Sequence, residues 1–277
     1  MNDMSCTTKL LELNATGKHV CVGLDTVVSR LPGSVKGASP SERVVVFNRA
    51  IVQATADIAC AFKPNIAFYE ALGPDGFAVL AQTIEDVRRF APLVPVIVDA
   101  KRADIGSSND AYATAIFDEL GADAITLHPY LGGEALAPFL NRADRMSFVL
   151  ARTSNPGARE LQDLKVDGRP LYEHVAEHVA QEWNARDNCG LVVGATYPRE
   201  LASLRASVGS RMPFLIPGVG SQGGDVEAVV GAHRAAGSSA MVINVSRSVL
   251  YASSSDDFAE AARASAQQLH DQIAAVS

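Results

Sequence analysis

The chain has 277 residues, 48% of them hydrophobic and 20% charged, enough to bury one large core. A formal charge of −7 argues against nucleic acid or an anionic membrane as partner, and no apolar stretch approaches the length of a membrane span. Residues 1–20 lack a signal-peptide core, and Cys6, Cys21, Cys60 and Cys189 show no C-x-x-C spacing, so a cytoplasmic protein without disulfides is expected.

Apolar runs of strand length recur along the chain, with helical periodicity between them. The first, HVCVGL at 19–24, leads into GLDTVVSRLPGSVKGASPSE, whose Pro, Gly and Ser content reads as a long loop. Helical spacing covers 41–58, and IACAFK at 58–63 gives the second strand. A helix over 75–90 precedes the strand VPVIVDA at 94–100, and a helix over 109–120 precedes AITL at 124–127. GEALAPFL at 133–140 has room for one or two helical turns before SFVLAR at 147–152. Helices over 171–184, 198–206 and 225–236 then alternate with GLVVGA at 190–195, PFLIPG at 213–218 and AMVINV at 240–245. A last long helix is expected over 258–276.

Eight β-then-α units over this length predict a (β/α)8 TIM barrel, forming a single domain across residues 1–277. The alternative, an open doubly wound sheet, calls for a glycine-rich nucleotide fingerprint after the first strand, where this chain has its long loop.

In such barrels the C-terminal ends of the strands carry the chemistry. Asp25 follows the first strand, Lys63 ends the second, and Asp99 with Lys101 ends the third. Arg152, Thr153, Ser154 and Asn155 end the fifth, GVGSQGG follows the seventh, and NVSRS with Arg247 follows the eighth. The third strand sits in VPVIVDAKRADIGSS, where a run apolar enough for burial on both faces meets a carboxylate and an ammonium two residues apart. Strand alternation points both to the same side. Taken alone, the pair reads as an ion pair closing a strand. Charge or glycine delivered to one rim by most of the strands favours a chemical role. PGVGSQGGD at 217–225 offers backbone N–H groups and the Gln222 amide, and Arg247 can donate two hydrogen bonds. Together they suit a phosphomonoester.

With these residues assembled, the chain resembles the orotidine 5′-phosphate decarboxylases, in their longer type 2 form, from Asp25 to Arg247. The most specific piece is D-x-K-x-x-D, here Asp99, Lys101 and Asp104, supported in order by AFKPNIAFYE, RTSNPGARE, PGVGSQGGD and NVSRS. The resemblance implies a Lys63–Asp99–Lys101–Asp104 network whose last aspartate comes from the partner subunit of a homodimer with shared active sites. It also implies that Asp25 binds ribose hydroxyls, that Ser154 hydrogen-bonds the pyrimidine, and that Gln222 and Arg247 bind phosphate. Ser108 stands where the family generally has a threonine that reaches the neighbour's ribose; serine keeps the hydroxyl and loses a methyl.

The implied reaction removes the carboxylate at carbon 6 and leaves negative charge in the ring plane, where no electron sink exists. No cofactor motif is visible and neither a cofactor nor a metal is expected, so electrostatics and positioning must lower the barrier. Lys101 is expected to face the developing carbanion and then protonate carbon 6, with Asp99 keeping it charged. A metal-dependent sugar-phosphate lyase of the same superfamily shares D-x-K-x-x-D, but uses a carboxylate where this chain has Lys63, a poor neighbour for a dication. A non-catalytic nucleotide-binding barrel is the remaining reading, and the intact Lys63, Asp99, Lys101 and Asp104 argue against it. His128 reads as a loop-packing residue, and His174 with His178 as a solvated helix face.

Overall fold

A computed structural model describes residues 4–219 and 224–276. Eight parallel strands form one sheet: β1 Val20–Gly23, β2 Ala59–Lys63, β3 Ile97–Arg102, β4 Ala124–Leu127, β5 Met146–Arg152, β6 Cys189–Val193, β7 Phe214–Pro217 and β8 Met241–Val245. Their spatial order is β2-β1-β8-β7-β6-β5-β4-β3. The two ends of that series meet in parallel bridges at Phe62 with Val96 and at Asn65 with Asp99, which makes the sheet a (β/α)8 barrel.

The strands are nearly continuous apolar runs because both of their faces are covered, by helices outside and by side chains within. Cys21, Ala61, Ile97, Ala124, Phe148, Val192 and Val242 share one buried cluster. The residues between them pack outward with the helices, as Val20, Val22, Val98 and Ile243 do. Moving two residues further along each strand keeps the same face, so Lys63, Asp99, Thr126 and Asn244 stand above Ala61, Ile97, Ala124 and Val242. The alternation that fills the barrel therefore also builds the floor of its mouth.

The helix before β2, Pro40–Thr55, starts at the N-cap Ser39, where the S-x-x-E pattern forms a variant of the capping box with Glu42 reaching one residue further back. Glu42 N–H donates to Ser39 Oγ at 3.2 Å and Ala38 N–H donates to Glu42 Oε2 at 2.6 Å. The loop expected at 23–42 is present and holds one short 3-10 turn, Val28–Arg30. β3 begins three residues later than expected and runs on to Arg102. Pro95 lacks an N–H to donate, so the ladder is only regular past it. The segment expected as one or two turns is a nine-residue helix, Gly132–Leu140, which accommodates Pro138.

Two elements were not anticipated. A helix at Cys6–Ala15 buries Cys6 and Leu10 in the interior cluster and so covers the N-terminal end of the barrel. A small hairpin pairs Lys165–Val166 with Arg169–Pro170 around Asp167 at φ 50° and Gly168 at φ 81°. These are the positive values that an Asp-Gly hairpin turn requires. The four cysteines are buried and free. Among the described residues, no helix is long and apolar enough to cross a membrane.

Candidate active site

At the C-terminal mouth, Asp99 is the hub. Its Oδ2 accepts from Lys63 Nζ at 2.9 Å, and its Oδ1 accepts from Lys101 Nζ at 2.5 Å and from Thr126 Oγ1 at 2.9 Å. Thr126 Oγ1 in turn accepts from the Lys101 backbone N–H at 3.0 Å. The Asp99 backbone donates to Pro64 O at 2.9 Å across the β2–β3 seam, so the carboxylate is fixed from main chain and side chain together.

The two lysines differ in setting. Lys63 is 3% exposed, whereas the Lys101 side chain is 43% exposed. Burial alone would pull the Lys63 ammonium down, but Asp99, with Asp25 behind it, outweighs that and raises its pKa above the ordinary lysine value. Burial would likewise raise Asp99, and Lys63 and Lys101 overcome it and hold the carboxyl well below the usual range. At neutral pH Lys63 and Asp99 are both ionised. Lys101 also departs from strand geometry, with φ at +46° and a break in the β3–β4 register between Val98 and Arg102. Strand alternation was expected to point Asp99 and Lys101 the same way; they do meet, but through this left-handed residue. A non-glycine side chain held there stores backbone strain, which the Thr126 and Asp99 contacts offset.

Asp25 sits in the loop after β1, with both oxygens engaged. Oδ1 accepts from Asn65 N–H at 3.2 Å, and Oδ2 accepts from Ser246 Oγ at 2.8 Å. Gly23 makes room for this, because a Cβ there would overlap Ser246 Oγ. Asp25, Lys63, Asp99 and Arg247 line one cleft, with Gly218 and Val219 at its β7 side. Such a cleft offers the fixed charges of Asp25, Lys63 and Asp99 together with the cation of Arg247.

The other expected residues fall differently. Ser154 lies at the end of β5 beside Gly194, where an added Cβ would come 2.9 Å from the Ser154 Cβ. Gln222 lies outside the described residues. Asp104 and Ser108, like Lys101 and Ser154, are not among the residues lining that cleft. Asp104 Oδ1 accepts from Ile105 N–H at 2.7 Å, and Ser108 is exposed on the first turn of the helix Gly106–Ala113. Arg152, counted among the residues of the rim, is 1% exposed and turned into the β5 loop, pairing Asp163 at 3.3 Å and lying 4.1 Å over the Tyr197 ring. His128 has its pKa lowered by burial and by Lys101, so it is neutral at pH 7. Among the described residues, no group of three or more His, Cys, Asp or Glu side chains could hold a metal ion.

Sequence reading missed Thr126, Asn244, Ser246, Arg30 and Tyr251. The period of two along β4 and β8 marks Thr126 and Asn244, and Ser246 precedes Arg247 in NVSRS. Nothing in the sequence brings Arg30 and Tyr251 together.

The family model described as orotidine 5′-phosphate decarboxylase / HUMPS family matches residues 18–264. The orotidine 5′-phosphate decarboxylase of Herpetosiphon aurantiacus is 54% identical over 249 residues, 90% of each chain. That of Cellvibrio japonicus is 48% identical over 254 residues, 92% of each chain. Among solved structures, the OMP decarboxylase of Leishmania donovani is similar with a TM-score of 0.84 at 40% identity, over 99% of this chain and 98% of its own.

Proposed function

The chain belongs to the orotidine 5′-phosphate decarboxylase / HUMPS family, and we propose that it converts orotidine 5′-phosphate to uridine 5′-phosphate without a cofactor, with Lys101 as the proton donor to carbon 6. The observation that carries this reading is the Lys63–Asp99–Lys101 array, whose Lys63 and Asp99 line the same cleft as Arg247.

Each group has a task in that reaction. The phosphate binds at Arg247 and the β7 loop, far from the bond that breaks, and the ribose hydroxyls meet Asp25. This remote binding holds the pyrimidine with carbon 6 toward Lys101. The bond from carbon 6 to its carboxylate breaks, carbon dioxide leaves, and the electron pair stays on carbon 6. The Lys101 ammonium stabilises that pair and then delivers a proton to it, after which water restores the ammonium. Asp99 keeps Lys101 charged and aimed, and Lys63 balances the carboxylate from below so that the hub stays ionised in a buried place.

Lys63 also separates this reading from a metal-dependent sugar-phosphate lyase built on the same barrel. Its ammonium occupies the end of β2 at 2.9 Å from Asp99, where such an enzyme needs a carboxylate toward a dication.

The protein works as a homodimer with shared sites. Asp104 and Ser108 follow β3 beside Ile105, which is 64% exposed, and Tyr130 in the loop after β4 is 90% exposed. Exposed apolar side chains beside the mouth are what an isologous contact would cover. Asp104 then completes the charged network of the neighbouring chain. Ser154 contacts the pyrimidine, and Gln222 joins Arg247 on the phosphate. One barrel domain over the whole chain, acting in the cytoplasm, suffices for this chemistry.

An ultraviolet assay of orotidine 5′-phosphate loss, with and without a chelator, tests the proposal. Turnover to uridine 5′-phosphate that is indifferent to chelator supports it. No turnover, or turnover that a chelator abolishes, overturns it.

A further inference from the structure

A phosphomonoester carries about −1.5 to −2 charges at pH 7, and Arg247 supplies one positive charge. The cleft contains a second arginine at the same end. Arg30 comes from the long loop after β1 and lines the cleft together with Arg247, Gly218 and Val219. Its guanidinium carbon stands 3.7 Å from the centroid of the Tyr251 ring. Tyr251 follows the short helix Arg247–Leu250, so the ring that carries Arg30 is anchored next to the proposed phosphate ligand. The same tyrosine ties down the loop, because its Oη accepts from Val27 N–H at 2.7 Å.

Stacking uses the face of a guanidinium and leaves its N–H groups, which lie in the plane, free to donate. Neither Arg30 nor Arg247 forms an ion pair with a carboxylate of the described residues. Two arginines without carboxylate partners in one cleft, one of them held flat on a ring, form a ready fork for an oxyanion.

We infer that Arg30 is a second phosphate-binding residue, delivered by the first loop and oriented by Tyr251. This rests on the decarboxylase reading and extends it. The long first loop then contributes directly to substrate binding. Arg30 acts on the phosphate and not on the base, so its contribution belongs to phosphorylated ligands alone.

Calorimetric binding of uridine 5′-phosphate and of uridine to wild type, Arg30→Ala and Tyr251→Leu tests this. Arg30→Ala should weaken uridine 5′-phosphate by about tenfold to a hundredfold and leave uridine unchanged, which also shows that the variant is folded. Tyr251→Leu should weaken uridine 5′-phosphate in the same direction by a smaller factor. Wild-type affinity for uridine 5′-phosphate in Arg30→Ala, or equal loss of both ligands, overturns the role of Arg30. Loss in Arg30→Ala with none in Tyr251→Leu overturns the role of the ring. A wild-type protein that binds no uridine 5′-phosphate and does not turn over orotidine 5′-phosphate overturns the decarboxylase reading itself, and Arg30's role with it.

Discussion

The Lys101 ammonium lies 2.5 Å from Asp99 Oδ1 although Lys101 breaks the extended geometry of the strand it shares with Asp99, with φ at +46°. The backbone turns so that the side chain can stay over the carboxylate. Lys63 holds the other oxygen of the same carboxylate from the barrel interior, which leaves Lys101 as the most exposed member of the trio.

Ionisation of Asp99 should appear in the acid stability of the protein. Its folded pKa is depressed, so its contribution is present above the unfolded carboxyl value of about 3.9 and is lost as pH falls toward the folded value. Lys63 has a raised pKa, so its contribution is lost only at alkaline pH and does not interfere. Asp99→Asn leaves Lys63 buried without its main partner and should cost about 3–5 kcal/mol at pH 7. Urea unfolding of both proteins should show that gap narrowing from pH 7 to pH ~2. A gap that stays constant over that range would mean Asp99 is not an ionised partner of the lysines.

Arg247→Ala removes the proposed charge-assisted pair to the phosphate and should lower kcat/KM by the equivalent of about 2–5 kcal/mol. Part of the loss should appear in kcat if phosphate binding positions the ring. Steady-state kinetics with orotidine 5′-phosphate give the answer. Unchanged kcat/KM would place the phosphate elsewhere.

Gly23→Ala puts a methyl group on Ser246 Oγ, which holds Asp25. Ser246 is short and attached to β8, so the strain cannot be relieved by a rotamer change alone. Unfolding should reveal a loss of about 1–3 kcal/mol, and KM should rise through displacement of Asp25. Wild-type stability together with wild-type KM would show that the Gly23–Ser246 approach is not needed.

Much of this site was legible in the sequence because strand alternation is strict. Lys63 follows Ala61 and Asp99 follows Ile97 on the interior face, and both could be placed from spacing alone. Thr126 and Asn244 obey the same period but sit inside apolar runs, where a single polar residue draws no notice. The left-handed Lys101 could not be foreseen, since only glycine announces positive φ in a sequence. Arg30 and Tyr251 meet through the path of a loop, which no periodicity encodes. The helix at Cys6–Ala15 buries only a few side chains, so its apolar stripe is faint.

Shared sites can be tested by complementation. Lys101→Ala and Asp104→Ala are each expected to be inactive alone. After subunit exchange, half of the dimers are mixed, and each mixed dimer holds one site with both lesions and one with neither. Activity should recover to about a quarter of wild type by the symmetry of the dimer. No recovery, with exchange confirmed independently, would assign Asp104 to its own chain.

The kcat of Lys101→Ala with orotidine 5′-phosphate, measured beside wild type under saturating substrate and with circular dichroism to confirm the fold, is the most direct test of where the chemistry resides. In the proposed reaction Lys101 combines stabilisation of the carbanion with proton donation, so kcat should fall at least about a thousandfold while the protein remains folded. A folded Lys101→Ala that keeps a tenth of the wild-type kcat would contradict the role given to Lys101 and to the network around it.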